Sequence, residues 1–140
     1  MRDQSNLVHP VPAIVPALNT NSDAAIVSAI IDRKGFESLT FLAIFGTLTD
    51  AGCTGVFTME HGDNSALSDT AAVAAPDFIG TLAAMNVTQA DDIECRKIGY
   101  CGPKRYVRLT FTSTGNAAGD IPLAVIALLG NPASSPTATL

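Results

Sequence analysis

Apolar and polar positions alternate most clearly between residues 104 and 113. There Arg105, Val107, Leu109 and Phe111 interleave with Lys104, Tyr106, Arg108, Thr110 and Thr112. Successive side chains of a strand point to opposite faces, so the pattern predicts a strand. Val107, Leu109 and Phe111 should face a core, with the cationic and threonine side turned outward. Val56 to His61 repeats the pattern, with Phe57, Met59 and His61 on one face and Val56, Thr58 and Glu60 on the other. Two further segments are strands of another kind. Phe36 to Gly46 alternates only in its first half; Phe41-Leu42-Ala43-Ile44-Phe45 and the run Ile121 to Leu129 are apolar on both sides. A strand apolar on both faces predicts cover on both faces.

Turn residues separate these segments: Arg33-Lys34-Gly35, Gly62 to Ser65, Asp91-Asp92 and Thr114 to Asp120. Ala24 to Asp32 reads as a strand, with a short helix as the alternative that its alanines leave open. Ser68-Asp69 predicts a capped helical turn over Thr70 to Ala74 that Pro76 stops. Phe78 to Leu82 and Ile93 to Tyr100 predict short strands. Roughly six to eight short strands with turn chemistry between them predict an all-β fold, a jelly roll or antiparallel β-sandwich.

The ends of the chain differ from this core. In residues 1–22, Pro10, Pro12 and Pro16 punctuate Leu7, Val8, Val11, Ile14, Val15 and Leu18. Prolines at this spacing block a helix and cannot sit in a central strand, so the segment predicts an extended N-terminal arm. Its aliphatics need cover, either on the arm's own domain or on a neighbour. Residues 23–130 form the β domain, and 131–140 a Pro/Ser/Thr tail without core content.

Composition narrows the function classes. The chain of 140 residues is 47% hydrophobic and 15% charged, against about 25% charged in an ordinary domain. That is too apolar for disorder and short of charge for a solitary monomer. The net charge of −5 disfavours nucleic acid. The longest apolar run, Ile121 to Leu129, is too short for a membrane helix. Residues 1–6 lead into proline-spaced sequence and not into a signal h-region. Cys53, Cys95 and Cys101 read as thiols, packed as small buried or half-buried apolar residues.

Candidate chemistry is thin. His61 with Ser65 and Asp63 lacks the arrangement of a hydrolase triad. Glu60, Asp63, Asn64 and Asp69 lack calcium-loop spacing and read as a turn. Nothing places Glu60 near Glu94 as a glycosidase pair. The absence of Trp weakens a sugar- or base-stacking site. No catalytic residue, cofactor or metal is therefore expected. One charge feature is distinct: Arg96, Lys97, Lys104, Arg105 and Arg108 lie within thirteen positions. They read either as a solvated edge or as a docking edge for an acidic protein partner, with Lys104, Tyr106 and Arg108 outward.

Four stretches carry a family resemblance beyond these readings. They are GFESLTF at Gly35 to Phe41, FTMEHGDN at Phe57 to Asn64, ADDI at Ala90 to Ile93 and RKIGYCGPKRYVR at Arg96 to Arg108. With the proline-spaced arm, the sequence resembles the capsid cementing (decoration) proteins of tailed bacteriophages. The resemblance implies a jelly roll on the outside of an icosahedral head, made in the bacterial host cytoplasm. It implies dimers, with a trimer as the alternative, that bridge the major capsid proteins of neighbouring capsomers without covalent cross-links. The interface candidates are then Leu7, Val8, Val11, Ile14 and Val15 on the arm and Lys104, Tyr106 and Arg108 on the basic strand. A receptor- or glycan-binding β-sandwich module is the alternative, since this architecture also hosts lectins.

Overall fold

The computed structural model describes residues 4–134 and Thr137. Its strands are β1 (Val8–Thr20), β2 (Ile26–Val27), β3 (Ile31–Asp32), β4 (Phe36–Phe45), β5 (Thr54–Gly62), β6 (Ala71–Ala72), β7 (Phe78–Ile79), β8 (Val87–Thr88), β9 (Cys95–Tyr100), β10 (Tyr106–Thr114) and β11 (Asp120–Pro132). One sheet, sheet A, runs β1-β11-β4-β9-β7. The other, sheet B, runs β2-β10-β5-β6, with β3 on β10 and β8 on β5. All pairings are antiparallel. The chain crosses between the sheets at every step except β2 to β3 and β5 to β6. This is the wrapping of a jelly roll.

The inner faces follow the alternation. Val107, Leu109 and Phe111 of β10 are fully buried, and so are Phe41 and Ala43 of β4 and Val125 and Ala127 of β11. Phe45 of sheet A meets Phe57 and Phe111 of sheet B with ring centroids 6.1 and 5.8 Å apart, and the latter two lie 5.1 Å from each other. Gly55 makes room for this cluster, because a Cβ there would run into the Phe111 ring.

The N-terminal segment is extended and lies on its own domain. Residues 8–20 form the edge strand of sheet A, in register with β11 from Val8 opposite Gly130 to Thr20 opposite Asp120. Two register shifts, between Pro12 and Ile14 and between Ile14 and Ala17, absorb irregular sequence that a central strand would reject. Edge strands tolerate proline, because one side of the backbone needs no ladder donor. Thr137 donates its backbone N–H to Asn6 and its hydroxyl to the Val8 carbonyl, so part of the tail also lies on the domain. The rest of the predicted tail beyond Ser134 falls outside the described residues.

The middle of the chain departs furthest from expectation. Residues 70–74 form no helical turn; Ala71–Ala72 pairs with Glu60 and His61 of β5. Short 3-10 turns lie instead at Ala75–Asp77 and Leu82–Met85. Ala24 to Asp32 breaks into the two short strands β2 and β3. Phe78 to Leu82 keeps only Phe78–Ile79 as strand.

Candidate docking faces

The basic segment is internally neutralised. Lys104 Nζ lies 2.6 Å from Asp63, Arg108 2.6 Å from Glu60, Arg105 2.7 Å from Asp32, and Arg96 2.7 Å from both Asp91 and Glu94. Each cation meets a carboxylate from a neighbouring strand or loop, so the expected basic edge is a set of ion pairs. Among the described residues, Lys97 alone of the five has no ion pair. Arg105 precedes β10 and turns outward, with its guanidinium 4.8 Å from the Tyr106 ring. Its bidentate hold on Asp32 keeps that carboxyl below the usual carboxylate range. Asp63 raises the pKa of Lys104.

The residues weighed for catalysis have packing partners. His61 is buried, with Nδ1 2.8 Å from the Tyr100 hydroxyl. That hydroxyl also accepts the Lys104 backbone N–H at 3.1 Å. Burial pushes the Tyr100 pKa up, and the Arg33 guanidinium lies 4.8 Å from its ring. The pair therefore ties sheet B to sheet A. Glu60 and Glu94 are each held by an arginine. Asp69 accepts backbone N–H groups from Asp63 and Asn64, which closes the turn and lowers its pKa. Among the described residues no group of three or more His, Cys, Asp or Glu gathers as a metal site, and no helix is long and apolar enough to cross a membrane. Cys53 is buried as expected, but Cys95, in the outward row with Ile44, and Cys101, in the loop after β9, are exposed.

The interface candidates separate. Ile14 is 5% exposed and belongs to the core; the bulge at Pro12/Ile14 turns both Ala13 and Ile14 inward, which removes Ile14 as a contact residue. Leu7, Val8 and Val11 are half-buried, and Val15 is exposed. Tyr106 and Arg108 are half-buried on the outward side of β10, and Lys104 is half-buried in the loop that leads into it.

The sequence candidates miss the outer face of sheet A. Register places Pro12, Ile126, Leu42 and Lys97 in one row across β1, β11, β4 and β9. The next row holds Leu128, Thr40, Gly99 and Ile79. A third brings Ala124 and Ile44 beside Cys95. Leu18, Ile44 and Ile79 are each more than half exposed there. Two shallow grooves mark this face. One, of about 320 Å³, is lined by Leu18, Ile44, Pro122 and Ala124; the other, of about 370 Å³, by Thr40, Ile79, Gly80, Lys97 and Gly99. The signal was present in the sequence as the strands apolar on both sides.

No protein-family model matches the chain, and no curated protein matches its sequence. Solved structures resemble it in shape. PBSX exported protein XepA is 14% identical over the whole of this chain, with a TM-score of 0.58. Infectious bursal disease virus Gx strain is 13% identical over 91% of the chain, with a TM-score of 0.48. The CBM22-1 xylan-binding domain of Paenibacillus barcinonensis Xyn10C is 15% identical over 74%, with a TM-score of 0.40. The chain spans 42%, 32% and 58% of those chains respectively. At such identities the likeness to XepA is one of fold.

Proposed function

We propose that this protein is a structural component of a virion. In this reading it decorates the outside of an icosahedral tailed-phage head and cements it by non-covalent contacts that bridge major capsid proteins of neighbouring capsomers. It acts as a homodimer and without catalysis, by burying surface. The observation that carries the reading is the broad aliphatic outer face of sheet A on a jelly-roll domain. A contiguous exposed apolar patch marks an interaction surface, and the sequence resemblance to cementing proteins supplies the partner. A modest free energy per copy suffices, since anything that binds the assembled shell and not its separated parts stabilises it by mass action.

The test is to add purified protein to heads that lack it. Saturable binding at a fixed copy number, with a higher head-disruption temperature, is the expected result. Failure to bind heads, with binding to a polysaccharide instead, would overturn the reading in favour of a glycan-binding module.

A further inference from the structure

We propose that two copies of this chain join edge to edge through β9, with Cys95 facing the partner's Cys95 across a two-fold axis. The joined sheets then run on as one. The proposal rests on the cementing reading only for the expectation that the chain pairs.

The backbone of β9 is open along half its length. Phe45 donates its N–H to the Glu94 carbonyl, and Cys101 donates its own to the Asp77 carbonyl. Backbone groups alternate sides along a strand, so Glu94, Arg96 and Ile98 bond to β4, whereas Cys95, Lys97 and Gly99 point the other way. The strand β7 takes up Gly99 and stops at Ile79, because Gly80, at φ 102°, turns the chain aside. The N–H and C=O groups of Cys95 and Lys97 are left without a partner among the described residues.

The other long borders are closed. Pro10, Pro12 and Pro16 remove three donors from β1, and two register shifts break its line. In sheet B, between β8 and β6, Phe57 donates its N–H to Asn86 and Met59 accepts that of Val73. Between β2 and β3, Ser28 exchanges hydrogen bonds with Leu109.

Charge and sterics select the occupant and its register. A two-fold pairing centred on Arg96 would set the two arginines face to face and drive the partner's Ile93 into the place opposite Gly99 that Ile79 fills. Centred on Lys97, it would oppose the two ammonium groups and bring the partner's Cys95 to that same place. Centred on Cys95, it sets Glu94 opposite Arg96 of the partner subunit, and Arg96 opposite the partner's Glu94. Such non-hydrogen-bonded pairs stand about 4.5 Å apart at Cα, where opposite charges attract. The partner's Ile93 then falls opposite Lys97, one place clear of Ile79. This register is isologous, so each contact occurs twice.

Exposure marks the two ends of the open stretch. Ile93 is 77% exposed and Ile79 65%. Ile93 also holds φ 55°, a conformation that a β-branched residue adopts only under strain. In the Cys95-centred pair, Ile79 and the partner's Ile93 are neighbours along one line, and each covers the other. Glycine would suit the backbone at position 93 better; the isoleucine has its use in the pair.

The experiment measures the dimer dissociation constant of full-length variants by sedimentation under reducing conditions, with a melting curve for each. Wild type should dimerise reversibly. Lys97→Pro removes a donor that is idle within one subunit, and an edge strand tolerates proline; it should weaken the dimer roughly tenfold or more with its fold retained. Ile93→Gly should melt no lower than wild type and weaken the dimer by a similar factor. Should Lys97→Pro fail to fold, Ile93→Gly reads the same contact. With Cα atoms about 5.5 Å apart, the Cys95 pair should join through a short bis-maleimide in Cys101→Ser, and no dimer should be trapped in Cys95→Ser. A wild type that stays monomeric overturns the inference, and so does a dimer that both folded edge variants leave unchanged. A monomer whose binding to heads falls in Lys97→Pro assigns the edge to a capsid strand and also overturns it. A Cys95-linked dimer that does not bind heads defeats the cementing reading and leaves this contact standing.

Discussion

Arg108 on β10 faces Glu60 on β5, with a threonine pair, Thr110 and Thr58, one step along the same face. At the equivalent place in the other sheet, Leu42 on β4 has Ile126 on one side and Lys97 on the other. The two sheets share one core, and their inner rows are filled in the same way by alternate aliphatic and aromatic residues. Outward they diverge. Sheet B adds exposed Val27 and Val56 to threonines and an ion pair, whereas sheet A sets Leu18, Leu42, Ile44, Ile79, Ile126 and Leu128 among fewer polar positions. Folding stability requires only the inner half of each strand to be apolar. The outer half is free to be spent on solvent or on a partner, and the two sheets have taken different options.

The most drastic way to break the comparison is to remove one border of sheet A. Deletion of residues 1–20 takes away β1, uncovers β11 and empties the Ala13 and Ile14 positions in the core. Loss of the cooperative thermal transition is the expected outcome. A truncated protein that still melts cooperatively would restore the segment to the status of a detachable arm.

The likeness of the inner faces is sharpened by Phe41→Ala in sheet A and Phe111→Ala in sheet B. Both rings are fully buried, and each truncation should cost about 3–5 kcal/mol in denaturant unfolding. A loss under about 1 kcal/mol at either site would mean that one sheet contributes much less to the core.

Acid tests the polar side of the comparison. The Arg105 guanidinium holds Asp32 low, and backbone N–H groups hold Asp50, Asp69 and Asp91 low. Their stabilising effect is fully present above the unfolded carboxylate range, near pH 4, and is lost as pH falls through the lower folded values. The melting temperature should therefore hold from neutrality to about pH 5 and decline below about pH 4. A flat profile down to pH 2 would show that these contacts contribute nothing. The smallest effect is expected at Arg108 and Glu60, both about a third exposed. A double-mutant cycle to alanine should give a coupling of about 0.3–1 kcal/mol, screened by salt.

These contrasts were unevenly legible in the sequence. The strands β5 and β10 were readable to their facing, because Phe57, Met59, Val107 and Leu109 sit in strict alternation. The continuous aliphatic runs of β4 and β11 identified strands and demanded cover on both sides, yet only register could show that Ile44, Ala124 and Leu42 lie on one outward surface. The prolines of β1 exclude a helix and a central strand and so predict an extended segment, but they do not tell an arm from the edge strand that forms on β11. Ion pairing was hidden by distance along the chain: Arg105 meets Asp32, and Arg108 meets Glu60, only after sheet B forms. Ser68-Asp69 looked like a helix cap, but Asp69 spends its carboxylate on the turn that follows β5.

The pairing of the first long strand with the last sets a kinetic condition on the fold. Val8 opposite Gly130 closes a loop of more than a hundred residues. During synthesis β1 must wait for at least a hundred further residues before its partner exists. Contacts of such sequence separation carry a large closure entropy and slow folding relative to helical domains of equal size. Sheet A is therefore completed after translation of the β11 segment, and until then its aliphatic strands are open to wrong partners. The prolines that interrupt β1 protect that waiting strand from aggregation as well as the finished edge.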